Sequence, residues 1–123
     1  MAQIWVVFGA VSGFLSVAFG AFGAHALSQR LDPRMLDVFR TGAQYQMYHA
    51  LALIGLGLWA ARYPTVSTTV PGWCFAAGSI IFSGSLYALS ISGVKWLGAI
   101  TPIGGVLFMI GWISFGIAAY RTA

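Results

Sequence analysis

Charge is what this sequence has least of. Of its 123 residues, 7% are charged and 59% are hydrophobic, where an ordinary soluble domain has about a quarter of its residues charged. A soluble chain this short could not cover so much apolar side chain with so few charges, whereas a bilayer can take that surface. The two carboxylates are Asp32 and Asp37, and the six basic residues are Arg30, Arg34, Arg40, Arg62, Lys95 and Arg121. The basic residues form no run, which removes nucleic acid as an expected partner. They sit at the ends of apolar segments, where side chains meet lipid headgroups. The single cysteine, Cys74, excludes an internal disulfide. No nucleophile elbow and no phosphate-binding glycine loop occur. A metal site needs three or four ligands at compatible spacing, and two histidines with a remote cysteine do not supply them, so no metal or cofactor is expected. Period-2 alternation, the mark of a membrane barrel, is also missing.

What the chain has in abundance is long apolar stretches. Four appear, at about residues 4–27, 41–61, 70–91 and 96–120. Each has the roughly 20 residues that a helix needs to cross the hydrocarbon at 1.5 Å per residue. Backbone groups in lipid must be satisfied internally, which requires helices here. The first stretch is a poor signal peptide, because it lacks a charged start and outruns the roughly 7–15 residues of a signal core. The expected fold is therefore an all-α, single-domain, integral membrane four-helix bundle.

Small residues recur in phase along these stretches. Gly9, Gly13, Ser16, Gly20 and Ala24 fall on one face of the first, with Gly23 widening it. Such a face lets a partner helix come close, within the chain or in another copy of it. Ser79 and Ser83 share a face of the third stretch with Gly84 near its end, and Gly104 and Gly111 share one in the fourth. Gly42 does the same near the start of the second. Between the first two stretches, Asp32 is a good N-cap and Pro33 suits the first helical position. The segment 33–40 that follows is amphipathic, with Met35, Leu36, Val38 and Phe39 apolar, and is expected to form a short interfacial helix in the headgroup plane.

The chemistry is concentrated between Phe19 and Ala50, which hold both histidines and both carboxylates. The second stretch opens Arg-Thr-Gly-Ala-Gln-Tyr-Gln-Met-Tyr-His. Arg40, Gln44 and Tyr48 make one i, i+4 stripe, and Tyr45 and His49 another. Polar groups at membrane depth cost free energy unless paired, so they should face protein or water. Together with His25 they define a candidate polar pocket where the first two helices meet. His25 and His49 admit a structural reading as well, as hydrogen-bonding residues between helices. Bis-histidine haem ligation would require both rings at one depth.

Four blocks carry a resemblance: FGAFGAHAL (19–27), FRTGAQYQMYHALAL (39–53), FSGSLYAL (82–89) and ITPIGGVLFMIGW (100–112). In this order they are similar to the small membrane family known as domain of unknown function 423, which includes transmembrane protein 256. The resemblance spans nearly the whole chain. It implies a four-helix integral membrane protein of the bacterial cytoplasmic membrane, or of an organelle in eukaryotes, and supplies no activity. The residue reading leads to a non-enzymatic accessory or assembly subunit in contact with lipid and packing against another membrane protein or a second copy. The alternatives are a small carrier or sensor using the polar pocket, and a cofactor-binding membrane enzyme.

Overall fold

The structure is a computed structural model that describes residues 2–122. Those residues are almost wholly helical, in four long helices joined by short links. Helix α1 runs Ala2–Leu27, and its stretch Ala18–Gly23 is a π-helical turn. Helix α2 is Pro33–Arg62, α3 is Thr69–Ser92 and α4 is Thr101–Arg121. A 3₁₀ turn at Lys95–Ala99 leads into α4. Helices α1, α3 and α4 are long and apolar enough to cross a membrane, the last together with its 3₁₀ turn. Helix α2 carries the polar cluster and runs between α1 and α3, packed on both.

The termini follow from local chemistry. Asp32 caps α2, its Oδ1 accepting from the Met35 backbone N–H at 2.8 Å, with Pro33 as the first helical residue. At the far end the Arg62 guanidinium lies 4.9 Å from the centre of the Tyr63 ring. Helix α3 stops at Gly93, whose φ of 72° suits a residue without a side chain.

One expectation is corrected by this geometry. Segment 33–40 is helical, but it is not a separate interfacial helix. It is the first two turns of a continuous 30-residue α2. Nothing between Phe39 and Gly42 interrupts the i to i−4 bonds, and Phe39 is buried against the Tyr87 ring of α3 at 5.0 Å. The apolar side of the segment therefore packs on protein. The fourth stretch also starts later than expected: its first residues form the 3₁₀ turn, and Pro102 sits in the first turn of α4, where its missing N–H is no loss.

Helices pack chiefly on their neighbours in sequence, α1 on α2, α2 on α3 and α3 on α4. Side chains close the bundle across the diagonals. Trp5 of α1 meets Trp73 of α3 edge to face at 5.4 Å, and His49 of α2 lies against Phe108 and Trp112 of α4. The fully buried core is Trp5, Leu53, Leu56 and Phe75, at the end of the bundle where α1 begins. There Trp5 donates from Nε1 to Thr68 Oγ1 at 3.0 Å, which satisfies the indole of a residue that has no exposed surface.

Candidate functional site

The polar residues of α2 divide between its faces. Gln46 is buried and points between α1 and α3. Its Nε2 donates to the Ser12 carbonyl at 3.1 Å and to Ser12 Oγ at 3.3 Å. Its Oε1 accepts from the Tyr87 hydroxyl at 2.6 Å. One side chain thus ties three helices together. Two serines extend the seam: Ser16 Oγ donates to the Ala43 carbonyl and Ser83 Oγ to the Gly42 carbonyl, both at 2.7 Å. A buried amide with each end paired holds the helices in one register, because any slip would leave it unpaired in hydrocarbon.

His49 faces α4. Its ring stacks on Phe108 with centroids 3.5 Å apart and planes 8° from parallel. Trp112 Nε1, which can only donate, reaches His49 Nε2 at 3.1 Å. The other ring nitrogen, Nδ1, therefore carries the proton and donates to the Tyr45 carbonyl at 2.8 Å. The imidazole is held as one neutral tautomer with both nitrogens occupied.

The other expected pocket residues do not join it. Gln44, Tyr45 and Tyr48 are exposed on the outer side of α2. Gln44 Nε2 donates to the Tyr48 hydroxyl at 2.5 Å, and the Tyr45 ring lies between Tyr48 and Phe82. Arg40 is exposed a turn earlier on the same side. His25 is exposed in the last turn of α1. The six residues His25, Arg40, Gln44, Tyr45, Tyr48 and His49 thus form no single cavity. The i, i+4 stripes read from the sequence identify shared faces but not which neighbour each face meets. Gln46 was missed for that reason: it stands in the same polar block, out of phase with both stripes. Tyr87, its partner, stood within a block of the resemblance.

The small residues are distributed along the seams. A Cβ on Gly9 would lie 2.7 Å from the Ala50 carbonyl oxygen, and one on Gly104 would lie 2.5 Å from the Phe82 backbone nitrogen. Gly20, Gly23, Gly42 and Gly111 are also approached within 3.4 Å by neighbouring helices, whereas Gly13 has ordinary van der Waals room. Ala24 is buried. Gly84 faces open space, and Ser79 and Gly84 line a cavity of about 520 Å³ between α1 and α3, with Gln46 in its floor.

Comparison with known proteins agrees with this architecture. Residues 19–105 match the family model described as "Protein of unknown function (DUF423)". The chain is 44% identical over 120 residues to the UPF0382 membrane protein YwdK of Bacillus subtilis (strain 168), covering 97% of this chain and 98% of that one. It is 43% identical over 121 residues to the UPF0382 membrane protein SAB0533 of Staphylococcus aureus (strain bovine RF122 / ET3-1), covering 98% of each. A UPF0382 membrane protein of Staphylococcus epidermidis (strain ATCC 12228 / FDA PCI 1200) is 40% identical over 121 residues, again with 98% of each chain covered. No solved structure matches. With its apolar helices, its internally satisfied polar seam and these full-length relatives, the chain is a membrane protein that belongs to the DUF423 family.

Proposed function

We propose that the protein is a non-enzymatic assembly subunit of the membrane, and that the outer face of α2 is where it packs against a partner, in the simplest case a second copy. The observation that carries this reading is the exposed Gln44–Tyr48 pair near the middle of a helix embedded in the bundle. The pair satisfies one donor. The Gln44 carbonyl oxygen, its second N–H and the Tyr48 hydroxyl hydrogen face outward, and in hydrocarbon such groups cost free energy until another helix supplies partners. About two turns past Tyr48 on the same face, at 3.6 residues per turn, Gly55 is exposed with nothing within 4 Å of where a Cβ would stand, so a second backbone can come close. A two-fold axis over this face would set Gln44 of each copy against Tyr48 of the other.

The test is the mass of the protein solubilised in mild detergent, with cysteine cross-linking at residue 55 in intact membranes. A dimer or larger assembly is expected. Replacing both Gln44→Leu and Tyr48→Phe should shift it toward monomer by about 3- to 30-fold, since interhelical hydrogen bonds in membranes contribute about 0.6–2 kcal/mol. A wild-type monomer with no co-purifying protein would remove the proposal. The carrier and enzyme readings have less support: the residues on which they relied are split between two faces of α2 and the end of α1, and both nitrogens of His49 are engaged.

A further inference from the structure

The outer face of α2 carries charge as well as the Gln44–Tyr48 pair. We infer that its partner is a second copy of this chain running in the same direction across the membrane, with Asp37 of each copy in an ion pair with Arg40 of the other. This pairing rests on the interface proposed above, and it fixes what the partner is and how it lies.

Three helices cover the rest of α2 and so define the face. Helix α1 lies over Ala43 and Ala50, α3 over Gly42 and Gln46, and α4 over His49. Between them an exposed stripe runs through Asp37, Arg40, Gln44, Tyr48, Leu51 and Gly55. At 3.6 residues per turn, all six lie within about 40° of the line through Gln44. Asp37 stands about 20° to one side of that line and Arg40 about 40° to the other.

Neither charge is used by its own chain. Three residues apart on one helix, Asp37 and Arg40 could pair with each other, yet neither forms an ion pair among the described residues. A lipid headgroup does not match the stripe either: its phosphate suits Arg40 and repels the carboxylate beside it. The stripe calls for a surface that presents a cation to Asp37, an anion to Arg40 and polar groups to Gln44 and Tyr48. A second copy of the same stripe presents all of these.

Direction follows from register. Across a two-fold axis parallel to the helices, residues on one side of the Gln44 line face the opposite side of that line on the other copy. Arg40 then faces the partner's Asp37, offset along the axis by three residues, about 4.5 Å. An arginine spans that offset between helices about 8–10 Å apart. In the same register Gln44 reaches the partner's Tyr48, one turn away. An inverted copy cannot make both contacts: setting Gln44 against Tyr48 leaves Asp37 opposite Gly55 and Arg40 opposite Ala52.

The experiment measures the monomer–dimer constant of the full chain in mild detergent at low salt, by energy transfer between donor- and acceptor-labelled copies. Asp37→Arg and Arg40→Asp should each raise the dissociation constant about 10-fold, or about 1.4 kcal/mol, the scale of two exposed ion pairs. Helicity and unfolding should not change, because neither side chain has an ionic partner in its own chain. Mixed together, the two variants should associate with each other as tightly as wild type, since each supplies the charge that the other lacks. In a Cys74→Ser background, Gly55→Cys should form a disulfide between like chains in intact membranes. Single variants that associate as wild type does, or a mixture no tighter than either variant alone, would overturn the ion pairs while leaving the wild-type interface in place. A Gly55→Cys chain that cross-links only to an Asp37→Cys chain would mark an inverted pair and overturn the direction. A wild-type chain that stays monomeric would remove the interface itself, and the pairing with it.

Discussion

The α1–α2 and α3–α4 seams use glycine in different ways. Along α1–α2, glycine brings backbone against backbone: Gly9 sits under the Ala50 carbonyl, and a Cβ on Gly57 would lie 2.7 Å from the Ala2 carbonyl oxygen. The gap is bridged by hydrogen bonds from Ser16 and Gln46. Along α3–α4, glycine mostly makes room for rings. Phe108 fills the space over Gly78 and Phe75 the space over Gly111, each within 2.7 Å of where a Cβ would be. Gly104 there meets the Phe82 backbone, and its own carbonyl oxygen lies 3.2 Å from where a Cβ on Gly78 would stand. The principal polar link between those two helices is Ser85 with Thr101, at one end. In lipid, where apolar burial does not favour protein over solvent, both seams depend on close van der Waals contact. The first adds direction through hydrogen bonds; the second relies on shape, and a ring has freedom to turn that a carbonyl lacks.

The largest effect should therefore appear where glycine meets backbone. Gly104→Ala is expected to destabilise the bundle by about 3 kcal/mol or more, at the upper end of overpacking effects, in reversible unfolding from mixed micelles. Gly111→Ala, which displaces a ring, should cost about half as much; equal costs would erase the distinction between glycine against backbone and glycine against a ring. Next comes the polar seam. Gln46→Leu leaves the Tyr87 hydroxyl unpaired and should cost about 1–2 kcal/mol, more than His49→Phe, which preserves the stack on Phe108 and orphans only the half-exposed Trp112 N–H. The reverse order would mean that shape, not hydrogen bonding, dominates on both sides. Gly13→Ala should change stability by less than about 0.5 kcal/mol, since its new methyl would stand 3.8 Å from Ala50 Cβ.

Much of this architecture was legible in the residues. Apolar length gives the helices, and the in-phase glycines of α1 mark a face that does meet α2. The start of α2 was half legible: Asp32 and Pro33 announce a helix, but a polar, amphipathic beginning cannot be told from a surface helix when nothing in the sequence says that α3 extends as far and covers Phe39. The pocket was less legible still. Polar residues spaced four apart share a face whether that face looks at protein or at lipid. The assignment turned on which neighbour stands opposite, a long-range fact. Thus Gln46 turns inward and Gln44 outward, two residues apart in the same block.

The order of the helices in space follows their order in the chain, since each packs on the one before it. Assembly can then proceed during synthesis: α2 finds α1 already in place when it leaves the insertion machinery, and α3 finds both. A ribosome paused after α3 would already display the Gln46–Tyr87 clasp, leaving the final helix to bring Phe108 and Trp112 onto His49 and to close its own seam with α3.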